Sequence, residues 1–148
     1  MNAHFKTMKS INVLSLFDGM SCGQVALKRL GFSIKNYYAS EIDKHAITVT
    51  QTNHPYTKQM GCVTGWKTWD IDWSKVDLLL AGSPCQGFSF AGKQLAFDDP
   101  RSKLFFVFVD ILKHIQKQNP NVKFLLENVR MKKEYLDTIT DILKVKPQ

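Results

Sequence analysis

The chain has 148 residues and a formal net charge of +7, with 44% hydrophobic and 22% charged residues. This is the composition of one globular domain rather than a disordered or membrane-spanning chain. Its three cysteines are widely spaced and its four histidines form no metal-binding pattern. We therefore expect no disulfide framework, no metal and no membrane association. Unpaired cysteines are consistent with a protein of the reducing cytoplasm. The positive charge indicates either a nucleic-acid partner or an inert basic surface.

The first elements predicted after an N-terminal extension of residues 1–10 are a strand, a glycine turn and a helix. Residues 11–17 are short, apolar and rich in β-branched side chains, which is typical of a buried strand. Residues 18–23 break that strand, and apolar residues at helical spacing follow over 25–30. Gly31 stands where a helix-ending glycine is expected.

Further strands and helices alternate along the rest of the chain. The predicted strands are 37–42, a weaker 58–63, a strongly apolar 76–81, and 122–126. The predicted helices are one capped by Asp43 and ending near 51, one over 104–115 closed by Pro120, and one over 135–143. Residues 86–101 have no clear period and predict a long functional loop. The alternation predicts an α/β fold with a parallel, doubly wound sheet.

Residues suited to chemistry gather where these strands end. The pairs Asp18/Gly19 and Pro84/Cys85, together with Glu41 and Glu127, each follow or close a predicted strand. In open parallel sheets, ligands bind outside the carboxyl ends of the strands. The distribution therefore predicts a ligand site along that edge.

The first turn and the second strand predict a cofactor that contains ribose. Gly19 and Gly23 allow the backbone to pass close to a ligand, and Glu41 can bind a ribose diol. These features fit a dinucleotide or S-adenosylmethionine. The GxGxxG pattern is absent, so a cofactor without a pyrophosphate fits better than a nicotinamide dinucleotide. An ordinary strand-to-helix turn is the structural alternative.

Cys85 and Glu127 have both a catalytic and a structural interpretation. A strand-end cysteine beside a long loop can be a nucleophile, although a small buried thiol is commoner. Glu127, if protonated, can donate a hydrogen bond to a ring nitrogen, or it can cap a helix or join an ion pair.

Three motifs in order strengthen the catalytic interpretation. They are Phe17-Asp18-Gly19-x-x-x-Gly23, Gly82-Ser83-Pro84-Cys85-Gln86-Gly87-Phe88-Ser89-Phe90-Ala91-Gly92 and Glu127-Asn128-Val129. Together they resemble the signature motifs of DNA cytosine-5 methyltransferases, in the Leu-Phe-Asp-Gly form of phage and bacterial members. The resemblance implies a Rossmann-like S-adenosylmethionine-dependent methyltransferase fold, with about five strands of its mostly parallel doubly wound sheet.

The resemblance also implies catalytic roles. Cys85 would attack C6 of a cytosine flipped out of double-stranded DNA, and Glu127 would hold N3 and the exocyclic amine. Pro84 and Asn128 would position that pocket. The residues near DNA would be Gln86, Ser89, Lys93 and Arg101.

The same resemblance implies a cofactor pocket for S-adenosylmethionine, with S-adenosylhomocysteine as product. Its residues would be Phe17, Asp18, Gly19, Met20, Cys22, Gly23, Glu41, Ile42, Cys62, Val63 and Leu104. The family usually has Asp where this chain has Cys62, a poor hydrogen-bond acceptor. The substitution predicts a cofactor affinity lower by about one hydrogen bond, roughly 0.5–1.5 kcal/mol.

The resemblance covers about the first half of a typical enzyme. The family's later Gln-x-Arg-x-Arg motif, target-recognition region and C-terminal motif have no counterpart in the sequence. We therefore expect residues 11–148 to be a partial catalytic domain that alone methylates DNA weakly or not at all. Self-association or a second chain could complete the fold, in the cytoplasm of a bacterial or phage-infected cell. The alternatives are a catalytically silent cofactor- or DNA-binding fragment and, fitting less well, a nicotinamide-dependent dehydrogenase.

Overall fold

The computed structural model describes residues 10–82, 103–128 and 133–146. These residues form a five-stranded sheet in the order β3-β2-β1-β4-β5, with every pairing parallel. The strands are β1 (Ser10–Leu16), β2 (Ser33–Ser40), β3 (Lys58–Gln59), β4 (Leu78–Gly82) and β5 (Lys123–Glu127). The helices are α1 (Cys22–Arg29), α2 (Lys44–Asn53), α3 (Lys103–Gln118) and α4 (Lys133–Leu143). This topology confirms the predicted α/β class.

Hydrophobic packing covers the two faces of the sheet unequally. The larger core lies under α3 and α4 and is dominated by four side chains of α3: Phe105, Phe108, Ile111 and Ile115. Each is completely buried, which stabilises the fold by about 1.5–3 kcal/mol per side chain. The smaller core packs α1 against β1 and β2 through Leu27, Val13 and Tyr37. The strands are thus sandwiched between helices, as a parallel sheet requires.

The predicted strands differ from the structure by one or two residues at most of their ends, and by four residues at two of them. The second strand begins at Ser33 rather than at 37, because its polar first half pairs with β1 from Ser10↔Ser33 onward. The third is only Lys58–Gln59, since Gly61 adopts a φ of 75° and the chain then turns into a 3₁₀ helix, Val63–Thr68. A second 3₁₀ helix, Trp73–Lys75, leads into β4.

The helix ends follow the predicted local chemistry. The Asp43 carboxylate accepts hydrogen bonds from the backbone N–H groups of His45 and Ala46, which caps α2. Gly31 takes a φ of 81° just beyond α1, and its N–H donates to the Lys28 carbonyl. None of the helices in the described ranges is both long and apolar enough to cross a membrane.

Candidate cofactor and catalytic site

The strand order reverses direction between β1 and β4, and in such sheets a crevice opens at that point. The turn after β1 and the segment after β2 meet beside it. The Gly19 N–H donates a 2.8 Å hydrogen bond to Oε2 of Glu41, and the Asp18 N–H donates to the Ser40 carbonyl at 3.1 Å. Two of the predicted strand-end groups are therefore neighbours in space.

The turn from β1 into α1 has an unusual backbone. Phe17, Gly19 and Ser21 all have positive φ values, of 56°, 58° and 61°. Only glycine adopts this region without steric cost, so the two other residues store strain that the surrounding contacts must offset. Among the described residues other than its two chain neighbours, none has an atom within 4 Å of the point where a Gly19 side chain would begin. The backbone at Gly19 is thus open to a ligand from outside.

Glu41 is fixed by backbone donors. Its Oε1 accepts hydrogen bonds from the N–H groups of Ile42 at 2.7 Å and Asp43 at 2.9 Å, while Oε2 accepts from Gly19. A carboxylate has about four acceptor sites, so three bonds leave room for a further donor such as a ribose hydroxyl. The half-buried carboxylate is oriented before any ligand binds.

A buried polar network supports the turn, and the sequence analysis did not identify it. Tyr37 donates from its hydroxyl to Oδ1 of Asp18 at 2.7 Å, and Ser21 donates to Oδ2 of the same carboxylate. The Gln24 amide nitrogen continues the network to the Thr57 hydroxyl at 2.7 Å. Burial, followed by the charge of Asp18, raises the pKa of Tyr37 far above its ordinary value, so its hydroxyl stays a donor.

Sequence patterns give little indication of this network. Tyrosine, serine and threonine are common in strands and turns, and only the packing of α1 on β2 brings them together. Gly23 shows how close that packing is, because a Cβ there would lie 2.8 Å from Cδ1 of Leu80 and 2.9 Å from the Tyr37 hydroxyl. The absence of a side chain at Gly23 lets α1 approach the sheet.

The other residues expected around the cofactor differ widely in exposure. Met20 and Ile42 expose 57% and 73% of their surface, which is high for apolar side chains at a turn and a strand end. Phe17 and Leu104 are half-buried against the larger core. Cys22 is exposed at the start of α1.

Cys62 and Val63 lie where β3 gives way to the first 3₁₀ helix. Val63 is buried in the larger core, whereas Cys62 is exposed with its Sγ 3.1 Å from the Thr64 hydroxyl. That contact lowers the pKa of the Cys62 thiol.

The ends of β4 and β5 are also adjacent. Gly82 pairs with Glu127 across the two strands, and a Cβ on Gly82 would lie 3.5 Å from Oε2 of Glu127. The Glu127 side chain, which is exposed, therefore lies over the end of β4. Asn128 follows it and is half-buried.

Part of the expected site lies outside the described residues. These positions are Pro84, Cys85, Gln86, Ser89, Lys93 and Arg101. Within the described ranges, His, Cys, Asp and Glu side chains form no group of three or more that could hold a metal ion.

Comparison with protein families matches residues 11–144 to the family described as C-5 cytosine-specific DNA methylase. Among curated proteins, the chain is 39% identical over 126 residues to the Type II methyltransferase M.NlaIV of Neisseria lactamica, covering 82% of this chain and 28% of that protein. It is 37% identical over 123 residues to the orphan methyltransferase M.Rho11sI of Bacillus phage rho11s, covering 83% of this chain and 24% of that protein. The chain thus spans about a quarter of the length of these relatives.

Solved structures share the fold. A DNMT2 mutant of Spodoptera frugiperda superposes with a TM-score of 0.59 at 28% identity, covering 90% of this chain and 39% of that one. The Dnmt2 methyltransferase of S. pombe gives a TM-score of 0.63 at 20% identity, covering 92% and 40%. The second likeness concerns the fold alone.

Proposed function

This chain belongs to the C-5 cytosine-specific DNA methylase family, and we propose that it binds S-adenosylmethionine and carries the nucleophile for methyl transfer to C5 of cytosine in DNA. The observation that carries the proposal is the junction of the first turn with the end of β2. There the Glu41 carboxylate is already oriented, and the backbone at Gly19 is open. The expected setting is the cytoplasm of a bacterial or phage-infected cell, where double-stranded DNA is accessible.

The described residues fit the cofactor chemically. Glu41 has capacity for a ribose hydroxyl, and the exposed apolar side chains of Met20 and Ile42 can cover an adenosine and a methionine chain. The turn supplies no glycine-rich nest for a pyrophosphate, which disfavours a dinucleotide. When bound, S-adenosylmethionine supplies an electrophilic methyl group through its sulfonium.

The chain's own residues would activate the cytosine. The Cys85 thiolate forms a bond to C6, and the electron pair of the C5–C6 double bond shifts so that C5 becomes nucleophilic. Glu127 holds N3 and the exocyclic amine and stabilises the charge that develops on the ring. After C5 takes the methyl group, loss of its proton to solvent and departure of the thiolate restore the aromatic ring.

The position of Glu127 supports this assignment. Its carboxylate lies over Gly82, and Cys85 follows Gly82 by only three residues in the sequence. Three residues of chain span at most roughly 11 Å. A nucleotide base inserted at the end of β4 can therefore meet Glu127 and the segment that carries Cys85. Such a base must leave the duplex, because C6 is inaccessible within the stack.

Two carboxylate substitutions test the assignment in opposite ways. Glu41→Gln should weaken S-adenosylhomocysteine binding about tenfold in calorimetry, a loss of about 1.4 kcal/mol, because one charged acceptor is lost. Glu127→Gln should leave that affinity unchanged but, in an enzyme completed with the family's C-terminal part, reduce covalent trapping by DNA that carries 5-fluorocytosine. Cys85→Ala should abolish trapping. Tighter binding of NAD than of S-adenosylhomocysteine would contradict the cofactor assignment, and trapping that survives Cys85→Ala would contradict the nucleophile.

The unusual cysteine beside Val63 offers a finer test. Cys62→Asp should tighten S-adenosylhomocysteine binding by about one hydrogen bond, roughly 0.5–1.5 kcal/mol, if this position faces the adenine amine. Cys62→Ser is the control, because it keeps the size of the side chain without adding a carboxylate. Equal affinities for the two variants would show that this position does not contact the adenine.

A further inference from the structure

Helix α2 has a polar side chain at its most buried position. Thr50 has no exposed surface, and among the residues of α2, all of which the structure describes, it is the only buried one. Ala46 and Ile47, one turn earlier in the helix, are half-buried. An amphipathic helix usually places an apolar residue at such a position, because a buried hydroxyl costs free energy unless it forms a hydrogen bond. The hydroxyl of Thr50 therefore needs a specific partner.

The partner of Thr50 lies outside the helix. Its hydroxyl donates a hydrogen bond of 3.3 Å to the carbonyl of Gly19, in the turn after β1. Thr48 and Thr52 of the same helix are exposed, and each donates at 2.8 Å to a carbonyl four residues earlier in α2. A hydroxyl bonded within its own helix does not connect that helix to another element. Thr50 is thus the threonine of α2 that links the helix to the turn.

The segment from Glu41 to Thr50 binds both backbone polar groups of Gly19. The Gly19 N–H donates to Oε2 of Glu41 at 2.8 Å, and the Gly19 carbonyl accepts from Thr50. Glu41 and Thr50 are joined through α2, which is capped at its start by Asp43. Since one continuous segment binds both groups of Gly19, the orientation of this residue depends on both contacts.

The backbone of the turn is unfavourable without such contacts. Phe17 and Ser21, on either side of Gly19, have φ values of 56° and 61°. Residues in this region persist only where the surrounding structure over-determines their conformation. The hydrogen bonds to Asp18 fix the turn from β2 and α1, and the bond from Thr50 fixes it from α2. Without the Thr50 bond, the turn would populate other conformations, and the apparent affinity for a ligand falls with the competent fraction.

We propose that Thr50 is a positioning residue of the cofactor site. Its hydroxyl fixes the Gly19 carbonyl and thereby keeps the Gly19 N–H on the Glu41 carboxylate, in the conformation that binds the cofactor. Thr50 itself contacts no ligand, because none of its surface is exposed. The inference rests on the proposed function, since it takes the turn and Glu41 as the site of S-adenosylmethionine.

Three substitutions in α2 test the proposal by calorimetry with S-adenosylhomocysteine. Thr50→Val replaces the hydroxyl by a methyl group of similar size and should weaken binding about fivefold, the effect of one lost hydrogen bond. Thr50→Ser keeps the hydroxyl and should stay within about twofold of the unsubstituted chain. Thr52→Val is the matched control, because it makes the same change at an exposed residue of the same helix. Unchanged affinity in Thr50→Val would overturn the proposal.

Urea denaturation of the same variants separates positioning from stability. The affinities are compared under conditions in which every variant is folded, so a loss of binding reports on the site rather than on the folded fraction. A purely structural role for Thr50 would lower the free energy of unfolding in Thr50→Val and leave the affinity of the folded chain unchanged. That result would also overturn the proposal.

Hydrogen exchange of the Gly19 N–H, followed by NMR without cofactor, distinguishes this inference from the proposed function. Thr50→Val should speed the exchange about fivefold, because the bond to Glu41 opens more often, and Thr52→Val should not. Equal exchange in the two variants would overturn the role of Thr50. If the unsubstituted chain binds no S-adenosylhomocysteine, the proposed function is contradicted, and faster exchange in Thr50→Val would still support the control of Gly19 by Thr50.

Discussion

The first turn and the end of β5 lie on the same edge of the sheet but are organised differently. Hydrogen bonds fix the turn: Tyr37 and Ser21 donate to the two carboxylate oxygens of Asp18, and the Gly19 N–H donates to Glu41. The β5 side is open. Leu125 exposes 62% of its surface, and among the described residues no strand pairs with the outer side of β5.

The difference between the two regions lies in whether their own contacts fix their geometry. A hydrogen-bonded turn keeps its geometry without a ligand, as a preorganised cofactor site requires. An edge strand with an exposed leucine offers unpaired backbone groups and apolar surface to another segment. We therefore expect substitutions near the turn to cost stability and those near β5 to alter association.

The largest effect is expected at the centre of the buried network. Tyr37→Phe removes the hydroxyl that donates to Asp18 and leaves a partly buried carboxylate oxygen without that bond. The expected loss in the free energy of unfolding is about 1–3 kcal/mol, measured by urea denaturation. Tyr56→Phe is the matched control, because Tyr56 is 94% exposed and should change stability by less than about 0.5 kcal/mol. Equal losses at the two positions would show that the turn is not held by this hydrogen bond.

Two glycines allow a direct comparison of the two regions. Gly23→Ala places a methyl group 2.8 Å from Leu80 and 2.9 Å from the Tyr37 hydroxyl, whereas at Gly82 the nearest atom of the described residues, Oε2 of Glu127, is 3.5 Å away. Overpacking usually costs about 1–3 kcal/mol, partly offset by the better helix propensity of alanine, so Gly23→Ala should destabilise by about 1–2 kcal/mol. Gly82→Ala should cost less than half as much. The reverse order in urea denaturation would show that the β4–β5 side is the more tightly packed.

A substitution on the exposed strand β5 should change the association of the chain more than its free energy of unfolding. Leu125→Thr introduces a β-branched residue, which suits a strand, and reduces the exposed apolar surface. We expect a change in unfolding free energy within about 0.5 kcal/mol and a smaller fraction of dimers or larger species in sedimentation velocity. Val49→Thr on α2 is a control, since Val49 is also an exposed apolar residue. If Val49→Thr reduces association as much as Leu125→Thr, association does not depend on the β5 edge.

The smallest effect is a pH dependence of stability that comes from His54, the residue after α2. Partial burial and the neighbouring Lys28 lower the pKa of His54 below its ordinary value of 6.5. Between the two pKa values the unfolded chain binds more protons than the folded chain, so stability rises with pH up to about 6.5. Lys28→Gln should raise the pKa of His54 in an NMR titration. A pKa that does not move would mean that burial alone causes the shift.

Local sequence was sufficient for the element order, the parallel α/β class and the gathering of Asp18, Glu41 and Glu127 at strand ends. Short-range chemistry controls these features, as the Asp43 cap and the positive φ of Gly31 show. The apolar runs and the polar residues that end them can be recognised in the sequence, because the side chains that a strand or helix buries recur with the period of that element. The roles assigned to Cys85 and to its loop stay predictions.

Tertiary structure alone decided the contacts between distant segments. The Tyr37–Asp18 bond, the close approach of α1 at Gly23 and the register shift between β1 and β2 at Lys35 each depend on how separate elements pack. Strand boundaries shifted for the same reason, since β2 gains its polar first half by pairing with β1. Pairing and packing energies arise between residues far apart in the chain, so a pattern within one segment does not contain them.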